Sequence, residues 1–344
     1  MSYLQENLYT KVPLKFDKDG KFKILMFSDT HGHNEATLNA IESVVGNVNP
    51  DLILVGGDTV HHITDESDKP LIDKVYDFLS DLAVIFEKRN IPWAHVFGNH
   101  DNNIGMDNKE QQPAYERFDL NVAKSGPEDI QGVANYVLPI KAHDSDEIKF
   151  NVWGLDSHCG LSQFSQYCNN PEINKDVHKL PIGFTDDTSY PPIFFDQIMW
   201  YWNSSVELEK HNGKKIPGLM YFHVPLPEFW LAAKNPTETN LEGYCGEAIG
   251  NSRMNSGLFA TILQRGDVKT VCCGHDHDCN FAAKYCGVTL CYDGALSYNG
   301  YNRYSIRGGR VFEIDENDPW NIKTYNVLYK DISDDPMAMV NYYD

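Results

Sequence analysis

Five short apolar runs in this chain each lead into side chains able to ligate a metal. Ile24 to Phe27 leads into Asp29 and His31, Leu52 to Val55 into Asp58, and His95 to Phe97 into Asn99 and His100. Leu219 to Phe222 leads into His223, and Thr270 to Cys272 into His275 and His277. Ligands of an open α/β sheet collect beyond the carboxyl ends of its strands, so five such ends are expected to meet at one crevice. Asp, His and an Asn carbonyl together suit Zn, Mn or Fe better than the all-oxygen cage that Ca or Mg prefers. Two cations roughly 3.5 to 4 Å apart need a shared carboxylate, which stays ionised because their charge outweighs its desolvation. Asp58 is the expected bridge, while spacing leaves open how the other groups divide between two ions.

Each piece alone has an ordinary reading: a Gly-Asp pair is commonly a turn, and a lone histidine after an apolar run is commonly a satisfied core or surface residue. In order and together they resemble something more specific. The pieces are D-x-H at Asp29 to His31, G-D at Gly57 and Asp58, G-N-H-D at Gly98 to Asp101, the lone His223, and G-H-x-H at Gly274 to His277. This set resembles the calcineurin-like metallophosphoesterase superfamily from about Lys21 to about Ile314, with insertions. The strings around Ile91-Pro-Trp-Ala, Tyr221-Phe-His-Val-Pro-Leu-Pro-Glu-Phe and Asn255-Ser-Gly are similar to a branch of short plant purple-acid-phosphatase-like proteins and a related fungal cell-cycle phosphatase.

The resemblance implies an α/β fold, a four-layer α/β/β/α sandwich with two mixed sheets and the metals at their edge. It implies a pair of divalent or mixed-valence ions, Fe, Zn or Mn, one held by Asp29, His31, Asp58 and His277 and the other by Asp58, Asn99, His223 and His275. The implied reaction is hydrolysis of a phosphoester, most simply a phosphomonoester on a small molecule or a phosphoprotein, by a metal-bound hydroxide. A nucleotide phosphodiesterase and a non-catalytic protein-binding scaffold of the same fold are the alternatives.

His100 is kept apart from the metal set. In the family its counterpart donates a proton to the leaving alkoxide or holds a phosphoryl oxygen. Asp101, Asp65 and Asp276 are the candidates to orient it, with Asp101 taken as its catalytic companion. The third residue beyond Asp58 is His61, where related protein phosphatases carry Asp and purple enzymes carry an iron-binding Tyr. His61 and His62 are expected to be a solvated loop pair leading into the acidic stretch Thr64 to Asp68, the alternative being that they reach the substrate side of the crevice.

The elements that must position these groups are legible in apolar period. Helices are expected over Glu35 to Val48 and Leu71 to Phe86 as crossovers between motif strands, and over Ile193 to Glu209 with Phe194, Ile198, Trp202 and Val206 on one face. Paired strands are expected at Tyr136 to Ile140 and Ile148 to Leu155, and closing strands at Gly287 to Tyr292 and Arg310 to Ile314. Asn102 to Asn135 reads as a long loop and Cys159 to Pro192 as an insertion. The expected organisation is an extension over 1–20, a phosphoesterase domain over 21–330 with insertions near 102–135 and 159–192, and an acidic tail over 331–344.

Composition excludes some partners. The chain has 344 residues, 42% of them hydrophobic, with 29 basic against 49 acidic side chains for a net charge of −20. Nucleic-acid binding rests on Lys and Arg neutralising phosphates, so nucleic acid is not an expected partner. No run of about 18 apolar residues suggests a membrane span. Met1 to Asp19 has neither the basic start nor the apolar core of a secretory signal, which makes a cytoplasmic location and reduced thiols the expectation for the eight cysteines. Cys272 and Cys273, adjacent on a strand, should face opposite sides of it in the core.

Overall fold

The computed structural model describes residues 3–160, 190–252 and 254–342. The first strands are Leu14–Lys15 (β1), Lys21–Phe27 (β2), Leu52–Val55 (β3) and Trp93–His95 (β4). Helices Glu35–Val48 (α2) and Leu71–Glu87 (α3) follow β2 and β3, and a short Leu4–Leu8 (α1) precedes β1. Parallel neighbours need a crossover, and α2 and α3 supply it between β2, β3 and β4. α2 starts where the Asn34 side chain accepts from Thr37 N–H and stops where Asn49 turns left-handed at φ 47°. It buries Ile41, Val44, Val45 and Val48 at three-four spacing together with Ala40, while Leu38 of the same stripe is half-buried. The third motif run is strand only over Trp93–His95, although Val96 N–H still reaches the Val55 carbonyl at 3.1 Å.

Gly308–Asp315 (β11) lies antiparallel to β2, and Lys323–Leu328 (β12) outside it, giving a five-stranded sheet ordered β12-β11-β2-β3-β4. The second sheet has seven strands, ordered β1-β5-β6-β7-β8-β10-β9, from Tyr136–Lys141 (β5), Ile148–Gly154 (β6), Gly218–Tyr221 (β7), Val268–Cys273 (β8), Ala282–Tyr285 (β9) and Val288–Tyr292 (β10). Both sheets are mixed. Residues of the N-terminal extension therefore add an edge strand, β1 pairing parallel with β5.

Side-chain alternation sorts the strands between two buried clusters. Leu219 and Tyr221 of β7 join Leu138, Val152 and the five-stranded sheet, whereas Met220 and Phe222 face helices Phe195–Asn212 (α5), Pro227–Lys234 (α6) and Leu258–Arg265 (α7). Cys272 falls in the first cluster and Cys273 in the second, both fully buried. With α2 and α3 on the outer side of the smaller sheet, the layers run helix, sheet, sheet, helix. Across the middle, the Tyr136 hydroxyl donates to the His95 carbonyl at 2.6 Å, tying β5 of one sheet to β4 of the other beside the G-N-H-D loop.

Three expectations change. Residues 102–135 are not a continuous loop, because Asn108–Glu116 is a helix (α4). Its signal was the capping box of Asp107 and Glu110, which Pro113 and a polar composition obscured. That helix buries Gln111, which donates to the carbonyls of Asp101 and Met106, and Gln112, paired with His95 at 3.0 Å. The face of α5 also differs: Ile198, Trp200, Tyr201 and Leu208 are buried, while Trp202 and Val206 are only half-buried and Phe194 caps the start. Of its aromatics Trp200 and Tyr201 are core, whereas Phe195 is exposed. The acidic end of the chain carries a single 3₁₀ turn at Pro336–Met339, after a short helix Tyr329–Ile332 (α8), and the buried Arg307 guanidinium donates to the Val340 carbonyl at 2.9 Å. Most of the expected 159–192 insertion lies outside the described residues. No helix among them is long and apolar enough to cross a membrane.

Candidate metal centre

At three of the five strand ends the backbone takes conformations that an L-residue adopts rarely. Asp29, His31, Asp58 and His275 all have positive φ, at 57°, 47°, 51° and 80°. Such strain persists only where surroundings over-determine it, and it gathers at functional sites. Two glycines are required by close approach: a Cβ on Gly98 would collide with the Asp58 carboxylate, and one on Gly274 with the Ser28 hydroxyl.

These turns aim the side chains inward. The ligand atoms of Asp29, His31 and His277 lie within 4.8 Å of one another, as do those of Asp58, His223 and His275. The groups adjoin: Asp29 Oδ1 is 3.3 Å from His277 Nε2 and 3.7 Å from His223 Nε2, and Asp58 Oδ2 is 3.6 Å from His31 Nε2 and 3.2 Å from His223 Nε2. Asp58 Oδ1 accepts the His100 N–H at 2.7 Å, so a single oxygen of Asp58 faces both groups. Asp29 Oδ2 likewise takes the Ser28 hydroxyl and the His275 N–H, leaving Oδ1 to face inward.

Whether metals fit here is tested by atoms left without hydrogen bonds. Asp29 Oδ1, Asn99 Oδ1 and His223 Nε2 are buried and have no hydrogen-bond partner. A native interior rarely leaves such groups orphaned unless an ion or ordered water completes them. The tautomers agree, because His223 Nδ1 donates to the Gly56 carbonyl and His277 Nδ1 to the Tyr301 carbonyl, both at 2.8 Å, which turns each Nε2 lone pair inward. Charge agrees as well. Among the described residues no lysine or arginine lies within ion-pairing distance of Asp29 or Asp58, both buried. Burial pushes the His31 and His275 imidazoles down to about 3, which leaves them neutral, the form that ligates. Burial also works against a proton on His223, but the Asp58 and Asp29 carboxylates pull its pKa up to about 10. The pair of buried carboxylates demands positive charge, and the residues present fit two metal ions.

Asp101 is not beside His100 in the way its sequence position suggested. Its Oδ1 accepts from Thr59 N and Val60 N at 2.8 and 2.7 Å, and its Oδ2 from Asp58 N and Gly98 N at 3.0 and 2.7 Å. The carboxylate clamps the Asp58 loop to the G-N-H-D loop. The group on His100 Nδ1 is the Asn103 amide, at 2.8 Å. With that amide nitrogen donating, the neutral imidazole carries its proton on Nε2.

His61 is another correction. It is not a solvated loop residue: its Nδ1 lies 3.2 Å from His31 Nδ1 and its ring 4.9 Å from that of His100, with the exposed His62 stacked behind it. A cleft of about 610 Å³ opens over the centre, walled by His31, Asp58, His61, His100, His275 and His277. Its outer wall comes from Tyr190, Glu247–Asn251 and Asn299–Tyr301, none of which periodicity or spacing marked. One overlooked residue did carry a signal. Asp293 follows β10 as Asp58 follows β3, and its carboxyl meets the Ser28 hydroxyl that holds Asp29. Burial and then the Asp29 charge push the Asp293 pKa well up.

A fold of two mixed sheets between helices, with Asp, Asn and His converging at the strand ends, defines a metallophosphoesterase. A match to the calcineurin-like phosphoesterase family spans residues 22–279, and the chain belongs to that family. Among curated proteins it is similar to probable inactive purple acid phosphatase 14 of Arabidopsis thaliana, 29% identical over 338 residues and covering 87% of this chain and 77% of that one. Probable inactive purple acid phosphatase 29 of the same plant is 27% identical, covering 88% and 79%. Phosphatase DCR2 of Saccharomyces cerevisiae is 27% identical over 90% of this chain and 54% of its own length. The fold is shared with a dimetal phosphatase from Danio rerio (TM-score 0.53, 11% identity, 90% of this chain and 99% of that one). It is shared also with GAP50, the anchor in the inner membrane complex of Plasmodium (TM-score 0.52, 13% identity, 94% and 88%).

Proposed function

We propose that this chain is a metal-dependent phosphomonoesterase using two divalent or mixed-valence ions of the Fe, Zn or Mn kind. The observation that carries the reading is the set of orphaned buried atoms, Asp29 Oδ1, Asn99 Oδ1 and His223 Nε2, within a ligand set that lacks no member. Asp29, His31, Asp58 and His277 would hold one ion and Asp58, Asn99, His223 and His275 the other, with Asp58 common to both. When bound, such a pair supplies Lewis-acid charge and lowers the pKa of water.

The protein's own residues do the rest. Asn103 fixes the His100 ring so that Nε2 presents a proton toward the cleft, where it serves the leaving oxygen or a phosphoryl oxygen. His61 packs against both His31 and His100, whose rings also meet each other, and buttresses them. Substrate is a phosphoester on a small molecule or on a protein serine or threonine. The plant relatives' names, with the word inactive in them, favour a second reading, a binding protein that retains the site's architecture.

One experiment separates the two: metal content measured on the purified protein together with hydrolysis of a panel of phosphomonoesters, phosphodiesters and phosphopeptides. Two ions per chain with monoester turnover supports the proposal. Two ions with no turnover on any member supports the binding protein, and turnover confined to diesters overturns the monoester assignment.

A further inference from the structure

The geometry points to Cys245 and Cys279 as a redox-modifiable pair that a hydroperoxide converts to a disulfide, stapling the outer wall of the cleft to the loop carrying His275 and His277. The segment around Cys245 runs antiparallel to the segment around Cys279. Glu242 and Ala282 exchange both backbone hydrogen bonds, at 2.9 and 2.8 Å, while Asn280 N–H meets the Tyr244 carbonyl at 2.9 Å and Gly246 N–H meets the Asp278 carbonyl at 2.8 Å. Cys245 and Cys279 are bridge partners, and they face each other between those two bonds rather than sharing one. Directly opposed residues of this non-hydrogen-bonded kind have Cα atoms about 4.5 Å apart, within the range of about 4.4 to 6.8 Å that a disulfide spans. The two sulfurs already touch, at 3.7 Å.

Access is divided in the way a sensor requires. Cys245 is exposed and Cys279 fully buried. The exposed sulfur would attack the O–O bond of the peroxide, giving a sulfenic acid on Cys245 and releasing the other oxygen as water. The Cys279 sulfur would then attack the sulfenic sulfur, forming the S–S bond and expelling the second oxygen as water, with the sulfenic proton and the Cys279 thiol proton. Two electrons leave the sulfur pair and reduce one peroxide to two waters. A dithiol reverses the change.

The pair is well placed to act on the cleft. Glu247, two residues beyond Cys245, accepts the Asp278 N–H and the Tyr301 hydroxyl, and residues 247–251 form the outer wall. The staple would fix that wall against the strand end that bears His275 and His277. Its formation does not depend on the phosphoesterase reading, and neither do the measurements that test it.

The full chain, purified with its metals under reducing conditions, would be treated with hydrogen peroxide, alkylated and mapped by mass spectrometry. The expected product is a Cys245–Cys279 cross-linked peptide, two hydrogen masses lighter than the reduced pair and restored by dithiothreitol. Amide hydrogen exchange over 246–251 should slow several-fold in the oxidised protein. In Cys279→Ser, Cys245 should instead stop at a sulfenic acid captured by dimedone, with no slowing of exchange. If both cysteines of the wild-type protein remain alkylated, if the cross-link joins other cysteines, or if Cys245 over-oxidises while Cys279 stays free, the proposal falls. The wild-type map decides the matter even if the variant fails to fold.

Discussion

Asp101→Asn distinguishes a clamp from a catalytic companion. The carboxylate receives two backbone N–H groups on each oxygen, and an amide can present only one oxygen. Whichever way Asn is turned, two buried N–H donors then face an NH₂ group. Hydrogen bonds to a charged acceptor contribute about 1.5 to 3 kcal/mol each, so the loss is about 3 to 6 kcal/mol. Relief of the burial and of the Asp58 charge, which together push the Asp101 pKa up to about 7, returns part of that. A net destabilisation of about 3 kcal/mol is expected. Unfolding entropy near 2.1 cal/mol/K per residue amounts to about 0.7 kcal/mol/K for 344 residues, so the melting temperature should fall by about 4 °C. Calorimetry and metal content are the assays, and the variant should also bind metal more weakly, because the Asp58 and Gly98 loops lose their common anchor. An unchanged melting temperature with full metal content and turnover depressed as in a His100 variant would refute the clamp and restore Asp101 as a partner of His100.

Four other outcomes are expected. Asp58→Asn should lower occupancy of both metal positions and abolish hydrolysis, read by metal analysis and phosphate release, since one oxygen of Asp58 faces both groups. His100→Ala should keep both ions but reduce turnover by about 10² to 10⁴ on an alkyl phosphate and by less on an aryl phosphate, whose leaving group needs no proton; equal losses would argue against proton donation. In metal-free protein, His223 has a folded pKa raised to about 10 from 6.5, so its contribution is fully present below about pH 6.5 and lost as pH rises through about 10. Urea unfolding in chelator should show that decline, at most about 5 kcal/mol, and metal loading should abolish it. Ferric-loaded protein should lack a tyrosinate charge-transfer band in its visible spectrum, because His61 stands at the tyrosine position and the Tyr301 hydroxyl is engaged by Glu247.

The parts of the molecule set by local chemistry were legible in the residues. The ends of α2 follow from an apolar period and an Asn cap, and the strand ends follow from short apolar runs broken by Gly, Asp and His. What escaped was set by contacts remote in the chain. His61 looks like half of a solvated pair until β2 and β3 lie side by side and bring it against His31, thirty residues earlier. Asp101 adjoins His100 in sequence, but it opens the 3₁₀ turn Asp101–Ile104 and points its carboxylate at backbone amides instead. The polar helix α4 has no apolar stripe because it covers buried polar groups, through Gln111 and Gln112.

The pairing of β2 with β11 bears on how the protein is made. Met26 sits opposite Arg310, and the Asp29 carboxylate receives the amide of His275, 246 residues further on. A ribosome adding about 5 to 20 residues per second needs on the order of 15 to 60 seconds to travel from one partner to the other. Throughout that interval the nascent chain carries β2 with one edge open and an Asp-x-His segment whose left-handed turns are held from one side, by the carbonyls of Gly57, Asp58 and Thr59. Chelating side chains and an unpaired strand would thus be offered together to the surroundings, and newly made chain should depend on a chaperone that covers strand edges, with metal captured late, after the second sheet has closed.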